Sequence, residues 1–186
     1  MFKKNIKQIE GVYFSEITNS STKKVSNFYK AKPFPNYDEN ENKVSILDKG
    51  NKNYLSKNLK NLIKINSKII EVGSGTCQLS NYFAIGTNME VVAFDTTLES
   101  IKLGKNFSDN NQIKNIKFVN GDIFDDIFED EYFDVVWTNG VLHHTANPKK
   151  AFETCAKWLK PGGYVVLGLY NYYGRLRTNF RQVMYK

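Results

Sequence analysis

The residues of this chain best placed to do chemistry begin at Glu71. The run Ile69-Ile70-Glu71-Val72-Gly73-Ser74-Gly75-Thr76-Cys77-Gln78-Leu79-Ser80 ends an apolar, β-branched segment on an acid, turns through two glycines one residue apart and starts a helix. Backbone without side chains can make that tight turn while lying close to a bound ligand. Twenty residues beyond Gly75, a second apolar run, Val91-Val92-Ala93-Phe94, ends on Asp95. In α/β folds a carboxylate at that spacing accepts the hydroxyls of a ribose. A third acid, Asp122, stands in Asn120-Gly-Asp122, and the only two histidines, His143 and His144, are adjacent. An imidazole titrates near neutral pH and can act as a general base, or the pair can simply shape a loop. The acids have bland readings too: Glu71 as a loop anchor, Asp95 as a helix N-cap, Asp122 as a turn residue. Adjacent histidines diverge, and neither Cys77 nor Cys155 lies at ligand spacing, so no metal site is expected.

The elements that must position these residues alternate from Lys68 onward. Hydrophobic patterning predicts strands at 68–72, 90–94, 116–119, 133–138 and 163–169, with helices near 76–85, 97–107, 148–159 and 172–184. That order implies an α/β, Rossmann-like three-layer sandwich with a mostly parallel sheet. Residues 67–186 form this core, and residues 1–66 read as an N-terminal helical extension or lid. Within the extension, Gly11-Val-Tyr-Phe14 suggests one edge strand, and residues 22–32 a helix carrying Val25, Phe28 and Tyr29 and stopped by Pro33. Pro33 and Pro35 hold Phe34 and Tyr37 in a stiff segment, where the two rings are candidates for a lid or for core packing. Tyr54, Leu55, Leu59, Leu62 and Ile63 form a helical stripe. In the last helix Leu176, Phe180 and Met184 are expected to be buried, with Arg177 and Arg181 sharing a face toward solvent or an acidic substrate.

Five segments carry a family resemblance: Glu71-Val-Gly-Ser-Gly75, Val92-Ala-Phe-Asp95, Asn120-Gly-Asp-Ile123, Phe133-Asp-Val-Val-Trp-Thr-Asn-Gly-Val-Leu-His-His144 and Leu159-Lys-Pro-Gly-Gly163. In type, order and spacing over residues 60–170 the chain resembles class I S-adenosylmethionine-dependent methyltransferases, of a type 11/25-like bacterial subgroup. The resemblance implies S-adenosyl-L-methionine as donor, held by Glu71, Gly73, Ser74, Gly75, Asp95, Thr96, Asp122, Ile123, Asn139 and Gly140. It implies that Glu71 orients the loop and the methionine amino group, and that the glycines let the backbone pass under the donor. Asp95 would accept the ribose hydroxyls and Asp122 the adenine amino hydrogen, with the Ile123 amide on a ring nitrogen. Asn139 and Gly140 would face the methionine end. His143 and His144 become the candidate catalytic residues.

Two departures stand out. The family often has a third glycine where Cys77 stands; a thiol there adds bulk beneath the methionine portion, with accommodation of the donor expected rather than its loss, and its role as a nucleophile has no other support. The family's sheet closes with two more strands, whereas this chain ends inside the preceding helix, so the C-terminal closing β-hairpin is expected to be lacking and the sequence to be a fragment. A nicotinamide-dependent oxidoreductase fits less well, because Gln78 occupies its third glycine position and no Tyr-x-x-x-Lys pair is present. A non-catalytic methyltransferase-like module acting with a partner is the alternative of another class. Asn139-Gly-Val-Leu stands where an Asn-Pro-Pro-Tyr tetrad would mark amino-group methylation, which favours a small-molecule acceptor, with a tRNA-directed enzyme as the alternative.

Composition fits these readings. A length of 186 residues, 41% hydrophobic and 14% aromatic, suits one soluble globular core. No run approaches the roughly 20 apolar residues of a membrane span, and Met1-Phe-Lys-Lys-Asn-Ile-Lys-Gln8 has no apolar signal core behind it, so a cytoplasmic protein with no membrane partner is expected. Two cysteines make no disulfide framework. The net charge of +7 is uneven: residues 1–67 carry 13 basic and 6 acidic side chains, residues 68–160 carry 9 and 13, and residues 161–186 carry 4 and none. Basic flanks can steer RNA or another anion, or they can be a solvated surface produced by lysine- and asparagine-rich composition. The oligomeric state is not legible.

Overall fold

The computed structural model describes residues 1–31, 33–171 and 173–184. Lys32 and Tyr172, where two predicted helices end and begin, lie outside the described residues, as do Tyr185 and Lys186. The core strands are β3 (Lys68–Val72), β4 (Glu90–Asp95), β5 (Ile116–Asn120), β6 (Phe133–Asn139) and β7 (Leu159–Gly168). All neighbouring pairs among them are parallel. Their apolar residues alternate between two cores: Ile69, Val91, Ala93, Val135 and Trp137 face one side, and Ile70, Val92, Phe94 and Val136 the other. Helices α4 (Gln78–Ala84) and α5 (Leu98–Asn110) bear on the first face, and α6 (Pro148–Trp158), carrying Ala151, Cys155 and Trp158, on the second. The three-layer α/β expectation holds.

The N-terminal region is not wholly helical. Strands β1 (Lys7–Ile9) and β2 (Val12–Phe14) form a hairpin whose two turn residues, Glu10 and Gly11, both have positive φ, as a right-twisting two-residue turn requires. β2 then pairs in parallel with β5, giving the sheet order β1-β2-β5-β4-β3-β6-β7. The segment expected to be an edge strand is therefore interior, with β1 outside it. Three helices follow: α1 (Ser20–Ala31), α2 (Lys43–Lys52) and α3 (Tyr54–Leu62). Asn42 and Asn53 cap the last two, each side-chain oxygen accepting two backbone N–H groups.

One packing expectation fails: on α7 (Leu176–Met184), Leu176, Phe180 and Met184 are all exposed. Of the α3 stripe, Leu59 and Ile63 pack into the core while Tyr54, Leu55 and Leu62 are exposed, as is Phe28 on α1. One boundary also moves: β7 starts at Leu159 rather than 163, because Phe133 pairs with Leu159 before a register shift passes the Pro161-Gly-Gly163 segment.

Candidate active site

The carboxyl ends of β3, β4, β5 and β6 meet where strand order reverses between β3 and β6, the crevice in which open α/β sheets bind ligands. The loop after β3 is tied to the end of β4: the N–H groups of Gly73 and Ser74 donate to the Phe94 carbonyl at 2.8 and 3.1 Å. Asp95 completes the tie. One carboxylate oxygen accepts from the Gly75 N–H at 2.8 Å, and the other from the Thr97 N–H at 2.7 Å, at the start of α5. Each oxygen keeps a further lone pair for a ligand hydroxyl. Burial pushes the Asp95 carboxyl up, against the pull of these N–H donors.

The glycines serve the fold as directly as a ligand. At Gly75 (φ +52°) a Cβ would lie 2.3 Å from the Phe34 carbonyl oxygen, and at Gly73 (φ +73°) it would meet the Val141 side chain at 2.3 Å. The close approach at Gly75 is thus made by the protein's own segment 33–37. That segment is strapped down residue by residue: Thr76 Oγ1 donates to the Pro35 carbonyl, Gln78 Nε2 to the Asn36 carbonyl at 2.8 Å, and the Tyr37 hydroxyl to the Thr76 carbonyl at 2.8 Å. The Tyr37 ring stacks on Phe107, 4.8 Å between centroids, so Tyr37 is an anchor in the core. Phe34 faces the cavity.

Glu71 is buried beside this loop and accepts from the Ser80 hydroxyl. Burial pushes its carboxyl up to about 8; the hydrogen bond from Ser80 opposes the shift and the charge of Asp95 adds to it. Asp122 caps a short 3-10 turn through one oxygen, which accepts from the Phe124 N–H at 3.0 Å. Its other oxygen is buried without a hydrogen-bond partner. A buried lone acceptor of this kind costs about 1–3 kcal/mol unless a ligand donor meets it.

Cys77 corrects an expectation. Its backbone is left-handed (φ +61°), a conformation that favours glycine, but its side chain is not on the cavity wall. It is fully buried against Gly104 on α5, with Sγ 3.5 Å from the Ser74 hydroxyl. The thiol therefore adds no bulk under a ligand, and burial raises its pKa well above the ordinary thiol value, which leaves it inert as a nucleophile. The histidines part company: His144 lines the cavity, whereas the His143 ring lies tilted against both His144 and Tyr170, at 4.2 and 4.0 Å between centroids.

One cavity of about 510 Å³ gathers Glu71, Gly73, Ser74, Gly75, Asp95, Thr96, Asp122, Ile123, Asn139, Gly140 and His144. Of the residues singled out in the sequence for the donor and for catalysis, only His143 is not on its wall. The sequence reading missed the opposite wall, supplied by Thr22, Val25 and Tyr29 of α1 and by Ile46, Lys49, Gly50, Asn53 and Ser56 around α2 and α3. A signal was present in Gly50, a glycine inside a helix, where a Cβ would fall 2.1 Å from the Tyr82 ring. Among the described residues no cluster of His, Cys, Asp and Glu is suited to a metal ion.

S-adenosylmethionine fits these residues on the structure's own terms. Asp122 offers an unmatched acceptor, Asp95 retains lone pairs on both oxygens, and the buried carboxyl of Glu71 would gain from a nearby cation. A family model described as "Methyltransferase domain" matches residues 63–185. The demethylmenaquinone methyltransferase of Paenarthrobacter aurescens is 29% identical over 110 residues, 59% of this chain and 41% of that protein. The chain thus spans less than half the length of that relative. A putative methyltransferase from Bacillus halodurans superposes with a TM-score of 0.58 at 27% identity, over 69% of this chain and 58% of that one. A putative S-adenosyl-L-methionine-dependent methyltransferase from Methanococcus maripaludis gives a TM-score of 0.57 at 22% identity, over 92% and 78%. With the family model matched over most of its length and the sheet order and glycine loop described above, the chain belongs to the class I S-adenosylmethionine-dependent methyltransferases.

Proposed function

We propose that this chain transfers a methyl group from S-adenosylmethionine to a small-molecule acceptor by in-line displacement. The observation that carries the reading is the unmatched, buried oxygen of Asp122 in the same cavity wall as the two-oxygen clamp of Asp95. Bound S-adenosylmethionine would supply a methyl on a cationic sulfonium: the acceptor's electron pair would form the new bond to the methyl carbon as the carbon–sulfur bond breaks, its electrons staying on sulfur in the neutral thioether S-adenosylhomocysteine. The chain's own residues do the rest. Asp95 accepts ribose hydroxyls, Asp122 accepts the adenine amino hydrogen, and the Ile123 N–H meets a ring nitrogen. Glu71 in its ionised form balances the cationic methionine end, and Ser74, Thr96, Asn139 and Gly140 close the wall around it. Val25, Tyr29 and Phe34 line the cavity with apolar and aromatic surface that would limit water. Alignment alone can lower such a barrier by about 7–11 kcal/mol at best, so His144 need only border the acceptor.

The name of the Paenarthrobacter relative, a demethylmenaquinone methyltransferase, supports a small-molecule acceptor, and Val25, Tyr29 and Phe34 give the cavity apolar and aromatic surface to receive one. The test is transfer of a labelled methyl group from S-adenosylmethionine with demethylmenaquinol and tRNA offered separately. Label in demethylmenaquinol is the expected result. Label appearing only in tRNA would overturn the small-molecule reading while leaving the donor site intact.

A further inference from the structure

The charges on the cavity wall are unevenly shared. Among the described residues it carries three carboxylates, Glu71, Asp95 and Asp122, and one lysine, Lys49, with no arginine. The acids follow the sheet order: Asp122 stands after β5, Asp95 ends β4, and Glu71 lies near the end of β3, the next strand along. On the donor reading, that row sets adenine, ribose and methionine in turn across the strand ends. Lys49 belongs at the Glu71 end of the row. Helix α1 packs on α5, which follows β4, whereas α2 packs on α4, which follows β3. The α2 contact is close, because Gly50 has no side chain to keep the helix off the Tyr82 ring of α4. Ile46, Lys49, Gly50 and Asn53 recur three and four residues apart, so one face of α2 supplies this part of the wall.

Lys49 is held in place from behind. Its ammonium pairs with Glu41, whose side chain is 2% exposed, and with Asp38 at 3.5 Å. The Asp38 N–H in turn donates to Glu41 at 3.1 Å, which ties both acids together ahead of α2. Burial pushes the Tyr37 hydroxyl up, and the charges of Glu41 and Glu71 both add to that shift, so the two carboxylates lie within electrostatic reach of one phenol. An ammonium carries three N–H donors, and two carboxylates leave one of them for a ligand. S-adenosylmethionine is not a simple cation. Its sulfonium and amino group are positive, but its carboxylate is negative and would be repelled by a wall of acids alone. Burying a carboxylate without a partner is costly, whereas a charge-assisted hydrogen bond from an ammonium holds it. We propose that Lys49 receives the carboxylate of the donor's methionine portion and so makes the site selective for a carboxylated donor, with Glu41 as a positioning residue behind it. The proposal rests on the S-adenosylmethionine reading and adds to it a residue from outside the strand-end motifs.

The test is isothermal titration of the 186-residue chain with S-adenosylhomocysteine, and with two ligands that lack the carboxylate, decarboxylated S-adenosylhomocysteine and 5′-methylthioadenosine. The wild-type chain should bind S-adenosylhomocysteine about tenfold or more tightly than its decarboxylated analogue. Lys49→Met should lower S-adenosylhomocysteine affinity by about tenfold or more, as loss of a charged hydrogen bond does. The same change should move the two carboxylate-free ligands by less than about twofold, the scatter expected of groups that do not interact. Lys49→Arg, which keeps the charge, should recover most of the loss. Lys49→Met leaves the buried Glu41 without its cation, so Lys49→Met with Glu41→Gln is titrated beside it and should show the same selective loss. Equal weakening of all three ligands would make Lys49 a structural residue and overturn the proposal. So would unchanged affinity for S-adenosylhomocysteine in the Lys49 variants, whether or not the KM for a methyl acceptor rises. Failure of the wild-type chain to bind S-adenosylhomocysteine at all would overturn the donor reading itself, and this proposal with it.

Discussion

Cys77 and Gly104 fit together as a knob and a notch. A Cβ built on Gly104 would lie 2.5 Å from the Cys77 Cβ, 2.6 Å from the Thr76 carbonyl oxygen and 2.7 Å from the Cys77 Sγ. Gly104 in the middle of α5 thus leaves room for the Cys77 side chain and directs it into the core. Gly104→Ala should destabilise the chain by about 1–3 kcal/mol, as overpacking does, and should disturb the glycine loop through Thr76. Cys77→Ala should leave donor affinity within about twofold while costing stability, because Sγ lies outside the cavity. Calorimetry on both variants checks this; a large gain in affinity on shortening Cys77 would restore the idea that the thiol crowds the donor.

The elevated Glu71 carboxyl makes donor binding pH-dependent. Its folded pKa of about 8 lies above the 4.5 of a free glutamate, so the folded chain holds the proton that the unfolded chain loses. Stability from this group is therefore fully present below pH 4.5, falls as pH rises toward 8, and is level above. A cationic donor favours the ionised form, so binding near pH 7 should release up to one proton. Titrations of S-adenosylhomocysteine, whose amino group remains cationic, in buffers of different ionisation enthalpy should give different heats, and Glu71→Gln should abolish the difference. Heats independent of the buffer would remove Glu71 from the linkage.

Segment 33–37 is held against the glycine loop by three side-chain bonds to backbone carbonyls. Thr76→Val, which removes one of them, should cost about 0.5–1.5 kcal/mol and speed proteolysis within 33–37. Gly75→Ala should be worse, since the added methyl meets the Phe34 carbonyl and the backbone has positive φ. Donor affinity should fall at least tenfold in that variant by about the 1.4 kcal/mol that such a change represents. Equal proteolysis rates in wild type and Thr76→Val would show that the strap is held by something else.

His144 and His143 should respond differently to substitution. His144→Gln should lower turnover by less than about a hundredfold, the lower bound for losing a general base. His143→Ala, which removes the ring that lies against both His144 and Tyr170, should reduce stability more than His144→Gln does. Single-turnover rates with saturating donor separate the two; a larger loss at His144 with donor binding intact would make it the base.

How much of this was legible depends on whether a residue's partners lie near it in a regular pattern. Ile69-Ile70, Val91-Val92 and Val135-Val136 announce strands buried on both faces, and the structure has them there. The residues proposed for the donor come together on one cavity wall because they follow the strand ends at fixed spacing. The direction of the Cys77 side chain is not legible in the sequence, because it depends on a left-handed φ and on Gly104, 27 residues away. Hydrophobic spacing on α3 and α7 gave the helices but not their burial, because nothing local says whether a neighbour will cover the apolar side. The wall formed by Val25, Tyr29, Ile46 and Asn53 has no motif of its own, since it exists only once α1, α2 and α3 fold over the sheet.

The central claim is that one cavity at the carboxyl ends of the strands holds S-adenosylmethionine through Asp95 and Asp122. Isothermal titration of S-adenosylmethionine into the 186-residue chain, beside its Asp95→Ala and Asp122→Ala variants, tests it most directly. The account predicts one-site binding to the wild-type chain and a loss of about 1–3 kcal/mol, roughly fivefold to more than a hundredfold in affinity, in each variant. Binding to the wild-type chain that neither substitution weakens, or no binding to a chain that melts cooperatively, would contradict it.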